Sequence, residues 1–262
     1  MFLKDLLYKW KSLLTHRAYV YSLLIGLILL AGSYVLTYYV SASHDQITYI
    51  SVGDLILDRI PTLNWEFLFT WGIYIIVSSV FCFTVLFRPD LAPFVLKTYA
   101  LLFFVRSGFV ILTYLGPPNG FFYADGINVG DNPLRNLIFR NDLFFSGHTA
   151  IPFLGFLLFN DTKFKWFMLF SSILMGITVL VMHVHYSIDV FAAFFITHGI
   201  FSLSDKIFND LNARFKNRIV NYRFLNMQKL LDKYPSKNSF ENLVSEELMS
   251  DDVTVDQASV VV

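Results

Sequence analysis

The sequence predicts an all-α integral membrane bundle of six transmembrane helices, and three observations predict it. Of its 262 residues, 55% are apolar and only 15% are charged, outside the range of water-soluble domains in both directions. The apolar residues form long unbroken blocks rather than short periodic stripes, so the medium they face is lipid. Six such blocks follow one another, and a hydrocarbon core about 30 Å thick takes roughly 20 helical residues.

The first block, 18–40, follows Lys4, Lys9, Lys11 and Arg17 and has no small-residue cleavage site of the usual kind. It therefore reads as a retained first span. The second is 66–87, where Cys82, the sole cysteine, stands between Phe81 and Phe83 and is expected to be a buried, inert thiol. The third is 92–115. The 116–145 connection carries Pro117, Pro118, Gly120, Gly126, Gly130 and Pro133 as turn formers, and a connection of that length usually has a function. The fourth span is expected to begin before Ser146 and to end by Phe159, the fifth to cover 164–183 and the sixth 187–203. Only His183, His185, Tyr186 and Asp189 interrupt the last two, which makes them a tight antiparallel pair.

Three regions follow: a cytoplasmic N-terminus at 1–17, a membrane domain at 18–203 and a cytoplasmic tail at 204–262. In the tail, Phe208, Leu211, Phe215 and Ile219 recur at helical spacing among basic residues, either as an interfacial helix or as a prolongation of the last span. Beyond Pro235 the chain turns acidic and serine-rich, a composition that suits disorder.

Lysine and arginine set the orientation. With six spans, Lys4 to Arg17, the turns holding Arg88 with Lys97 and Lys163 with Lys165, and the start of the tail share one side, which is cytoplasmic. The 41–65 loop with Asp45, Asp54 and Asp58, the 116–145 segment and the His183 to Tyr186 turn share the other. His148 and His185 thus meet at the non-cytoplasmic face. The formal net charge is zero, so nothing argues for nucleic acid, and any charged partner must be recognised locally.

Ionisable residues at membrane depth call for a reason. Asp189 lies four residues after His185, a spacing that puts both on one helix face with the carboxylate able to hold an imidazole nitrogen. Such a partner fixes the tautomer and raises the basicity of the other nitrogen, as a nucleophilic or base histidine needs. An ordinary carboxylate at the positive end of a helix explains the same spacing. Ser146, Gly147, His148 and Thr149 offer backbone N–H groups to an anion at a helix entrance, with His148 placed to protonate a leaving oxygen. A simple N-cap explains them as well. It is the shared sidedness of the two motifs that favours chemistry.

These motifs, Ser146-Gly147-His148-Thr149 and His185-Tyr186-Ser187 with Asp189, resemble the two catalytic motifs of the type 2 phosphatidic acid phosphatase superfamily, more specifically its sphingomyelin synthase branch. Asp142 to Phe145 before the first motif and Val190 to Thr197 after the second extend the likeness, as do Tyr99, Arg106, Ser107, Thr113, Leu115 and Pro117. Asp54, Asp58, Pro61 and Trp65 are more loosely similar to a first-loop signature. The resemblance implies a metal-independent, cofactor-free two-step transfer. His185 attacks the phosphorus and carries a phosphohistidine, Asp189 orients it, and His148 protonates the departing alcohol and then activates the acceptor. The implied partners are a phospholipid donor and a lipid alcohol acceptor, ceramide or diacylglycerol. Water as acceptor makes the enzyme a phosphatase or phospholipase, and a non-catalytic, transporter-like membrane protein is the alternative from another class.

The wider superfamily carries an arginine six residues before the second histidine, where this chain has Val179, and a lysine–arginine–proline motif with no counterpart placed here. Both losses are shared with the sphingomyelin synthase branch and point to a phosphodiester. Arg106, in the outer half of the third span, is then the candidate phosphate clamp, with a salt bridge to Asp142 as the structural alternative. Ser146, Gly147, Asp142 and Tyr186 complete the candidate substrate-binding set. His183 is expected to point away from His185, against a metal pair, and His198 lies about 20 Å along the last span. Phe121, Phe122 and Tyr123 are either a platform for a quaternary ammonium or part of an interfacial aromatic belt.

Overall fold

The computed structural model describes residues 2–45, 50–113, 115–122 and 143–208. All of these fall in one compact unit, Met1–Phe215, whereas a second unit, Lys216–Val262, lies outside the described residues, as does most of the amphipathic tail segment. Among the described residues the regular structure is entirely helical: α1 (Phe2–Leu14), α2 (Arg17–Asp45), α3 (Glu66–Phe87), α4 (Ala92–Leu112), α5 (Gly147–Leu158), α6 (Phe164–Val181) and α7 (Ser187–Phe208), with short 3-10 turns at Leu57–Arg59 and Pro89–Leu91.

Five of these helices are long and apolar enough to cross a membrane, namely α2, α3, α4, α6 and α7. Helix α5 is equally apolar but has only 12 residues, which reach about 18 Å. The fourth span, expected to begin before Ser146, begins instead at Gly147, because the Ser146 N–H is drawn to the Asp189 carbonyl at 3.2 Å. The N-terminal segment is itself helical. In α1, Leu6 and Leu13 are buried while Leu3 and Leu7 stay exposed, and the Trp10 indole donates to Val85 O at 3.1 Å.

Helix α4 is the most enclosed of the spans and lies along α2. At their contact Gly26 admits Leu96, whose Cβ stands 3.0 Å from where a Gly26 side chain would begin. The Thr37 and Ser107 hydroxyls meet at 2.9 Å, and the buried Lys97 ammonium donates to Ser22 Oγ at 2.7 Å. Helices α5 and α6 also pack against each other, with Gly155 facing Met168 and Ser172 Oγ donating to Thr149 O at 2.8 Å. Pro152 inside α5 cannot donate to the preceding turn, and the Tyr99 hydroxyl adds a bond across to Ile151 O at 3.0 Å.

At one end of the bundle the Arg88 guanidinium holds Asp161 at 2.7 Å and Asp90 at 3.3 Å, tying the α3–α4 turn to the α5–α6 turn. At the opposite end two loops, the first loop and the 116–122 segment, meet the α6–α7 turn and each other. Leu63 N donates to Val181 O at 3.0 Å, Phe122 N to Met182 O at 3.1 Å and Gly116 N to Ile50 O at 3.1 Å. Ile28, Phe67, Phe81, Phe170 and Phe195 stay outside, each more than half exposed, as lipid-facing side chains do. Cys82 is exposed as well, which corrects the expectation of a buried thiol. The inward residues of α3 are Phe69, Ile76, Val80 and Thr84, and a residue two positions from both Val80 and Thr84 falls on the opposite face.

Candidate active site

The α6–α7 turn is built by a Schellman-type stop. His183 N donates to Leu180 O and Val184 N to Val179 O, both at 2.9 Å, with His183 at φ 53° in the left-handed region that glycine usually fills. Its Nδ1 donates to Asn119 O at 2.8 Å, which holds the 116–122 segment against the turn. His183 thus points to Asn119 while His185 points elsewhere, and the two do not form a pair. Among the described residues no cluster of three or more metal-ligand side chains gathers anywhere.

Two residues after the turn α7 begins, and its first donors are taken by two carboxylates. Asp189 Oδ2 accepts from Tyr186 N at 3.0 Å, the backward half of a capping box. Asp54, from the first loop, accepts from Ser187 N at 2.7 Å and Ser187 Oγ at 2.9 Å. Its other oxygen accepts from Ile56 N at 2.9 Å and Leu57 N at 3.1 Å. Burial alone pushes the Asp54 carboxyl up, but the bonds from Ser187, Leu57 and Ile56 outweigh it and hold the group below its ordinary range.

His185 sits at this helix entrance, 4% exposed. Its Nδ1 is 2.7 Å from Leu143 O and 3.4 Å from Asp189 Oδ2. A carbonyl only accepts, so Nδ1 carries the proton and the lone pair resides on Nε2. Asp189 is fully buried, and its Oδ1 has no hydrogen-bond partner among the described residues.

Across from it, the Ser146 N–H bond to Asp189 O brings the start of α5 against the start of α7. Ser146 is fully buried and takes the N-cap position without a side-chain cap, its hydroxyl accepting instead from Thr149 Oγ1 at 3.3 Å. The first intrahelical bond runs from Ala150 N to Ser146 O, so the Gly147, His148 and Thr149 amides precede the helical ladder. The His148 ring stacks on Phe69 with centroids 4.0 Å apart and lies within electrostatic range of both His185 and Arg106. Arg106, 6% exposed, donates through Nε to Phe145 O at 2.9 Å. It lies so close to Gly147 that a Cβ there would stand 3.4 Å from Nε and 3.7 Å from Cζ.

The structure therefore brings His148, His185, Asp189, Arg106, Ser146 and Gly147 together. Asp142, a candidate substrate-binding residue and the alternative salt-bridge partner of Arg106, lies outside the described residues, as does Tyr123. Phe122 packs with Phe69 and Val179. The Tyr186 hydroxyl donates to Gly116 O at 2.8 Å and accepts from Val52 N at 3.1 Å, so this side chain is a tie between loops. Two contributors carry no strong sequence signal. The Leu143 carbonyl is backbone, and the grip of Asp54 on Ser187 spans 133 positions.

Residues 141–206 match a family model described as PAP2 superfamily C-terminal. Sphingomyelin synthase-related protein 1 of Mus musculus and that of Homo sapiens are each 27% identical to this chain over 182 residues, 60% of its length. The matched stretch spans 38% of the mouse protein and 44% of the human one, so the chain covers less than half of either relative. The segment that resembles the PAP2 superfamily C-terminal model holds both His148 and His185, and the wider stretch is similar to the sphingomyelin synthase-related proteins.

Proposed function

We propose that this chain is a membrane lipid phosphotransferase that moves a phosphorylated head group from a phospholipid to a lipid alcohol, ceramide or diacylglycerol. The observation that carries the reading is the Nδ1 contact of His185 with the Leu143 carbonyl at 2.7 Å, which leaves Nε2 as the nucleophile. In the first step Nε2 attacks phosphorus, the P–O bond to the diacylglycerol breaks, and His148 gives its proton to the departing oxygen. In the second, His148 takes the proton of the acceptor hydroxyl, that oxygen attacks phosphorus, and the P–N bond breaks to restore His185. Asp189 stabilises the positively charged ring in between. Arg106 and the Gly147, His148 and Thr149 amides at the start of α5 hold the phosphate oxygens.

Val179, where the wider superfamily has an arginine, is fully buried in an apolar cluster with Phe69, Met182 and Val190. One fewer cation at the phosphate supports a diester over a doubly charged monoester. The reading takes α5 as the fourth of six crossings, the bundle 18–203 as the catalytic domain, both termini as cytoplasmic and the site as non-cytoplasmic. Purified protein in vesicles with head-group-labelled phospholipid decides it. Labelled product is expected to appear only when ceramide or diacylglycerol is supplied, and to vanish in His185→Ala. Free phosphoalcohol without acceptor assigns hydrolysis, and turnover that survives His185→Ala overturns the mechanism.

A further inference from the structure

We propose that Asp54 is a positioning residue for His185, acting from the first loop as an external cap on α7. A helix entrance leaves backbone donors that need acceptors, and the side chain at the α7 N-cap position, Tyr186, is committed to Gly116 and Val52. Asp189 satisfies the Tyr186 N–H. The next donor, Ser187 N, has no acceptor within its own helix and takes Asp54 Oδ2 at 2.7 Å, with the Ser187 hydroxyl on the same oxygen at 2.9 Å.

His185 is two residues upstream of that grip and Asp189 two downstream. Without it, Asp189 alone holds this stretch of backbone, through Tyr186 N, and the geometry between Nδ1, Leu143 O and Asp189 Oδ2 loosens. Asp54 is itself held firmly. It is 8% exposed, its Oδ1 closes a tight turn onto Ile56 and Leu57, and Asp58 accepts from its N–H at 3.2 Å. The first loop thus delivers a rigid carboxylate, and charge-assisted bonds of this kind are shorter and stronger than neutral ones. Both carboxylates also lie at the positive end of α7. The anion-receiving helix entrance is then that of α5, whose Gly147, His148 and Thr149 amides precede the helical ladder, and α7 serves to aim the histidine.

The inference rests on the proposed transfer reaction for its kinetic arm but not for its spectroscopic one. Protein labelled with ¹⁵N-histidine and reconstituted in detergent micelles is compared as wild type, Asp54→Asn and Ser187→Ala. The His185 ring resonances are expected to move in both variants while those of His198, 13 residues away, stay in place. The kcat for phospholipid is expected to fall about tenfold to a hundredfold in Asp54→Asn at a nearly unchanged KM, and in the same direction but less in Ser187→Ala, which keeps the backbone bond. Unmoved His185 resonances in folded variants overturn the proposal, and if Asp54→Asn fails to fold, Ser187→Ala decides alone. Moved resonances in a protein inactive even as wild type leave the positioning intact and refute the reaction.

Discussion

A histidine becomes a nucleophile through what holds its other nitrogen. The spacing of His185 and Asp189 made a carboxylate partner legible in the sequence, and the paired histidine motifs made the meeting with His148 legible. The short contact nevertheless goes to the Leu143 carbonyl at 2.7 Å, with Asp189 at 3.4 Å, and no side-chain pattern announces a backbone acceptor. Asp189→Asn keeps the volume and still accepts from Tyr186 N, but it removes the charge beside the ring. Turnover at saturating phospholipid is expected to fall by about 10- to 100-fold, measured with protein of unchanged thermal midpoint. Asp54 contributes a pH dependence. Its carboxyl is depressed in the folded protein, so its contribution is present above the unfolded pKa and is lost as the pH falls through the folded one. The thermal midpoint of the solubilised protein is expected to drop between about pH 5 and 3, and less steeply in Asp54→Asn.

Helices α3, α4, α6 and α7 begin within a residue or two of where the apolar blocks placed them, because long runs of lipid-compatible residues leave few alternatives. Helix α1 was not legible in that way. Its leucines interleave with Lys4, Lys9 and Lys11, and those charges served only to orient the chain. The start of α5 was misplaced because a bond to a distant carbonyl, Ser146 N to Asp189 O, sets it. Tight helix contacts give sharper tests. A Cβ at Gly155 would stand 2.7 Å from Met168 Sδ and 3.1 Å from its Cγ, with Met168 fully buried. Gly155→Ala is expected to destabilise the protein by about 1–3 kcal/mol, read as a lowered thermal midpoint in micelles. Tyr186→Phe removes the ties to Gly116 and Val52 and is expected to cost about 1–3 kcal/mol, measured in the same way. Its loss of turnover should follow its loss of stability, as befits a tie between loops.

The bundle has two differently built ends, an ion-paired one at Arg88, Asp90 and Asp161 and a histidine-bearing one closed by the first loop and the 116–122 segment. The charge asymmetry of the loops was readable from the sequence, and it predicts that the two ends label from opposite sides. In sealed vesicles of a Cys82→Ser background, Leu63→Cys and Asn160→Cys are expected to react with a water-soluble maleimide on opposite faces. Labelling of both from one face refutes the six-crossing arrangement. The brevity of α5 carries a last consequence. With the α5–α6 turn at one boundary, about 18 Å of helix in a hydrocarbon layer about 30 Å deep ends well below the far surface. The reactive end would then be a recess inside the bilayer, reached sideways by a phospholipid whose head group sinks or whose leaflet thins, so that both donor and acceptor could arrive without leaving the membrane.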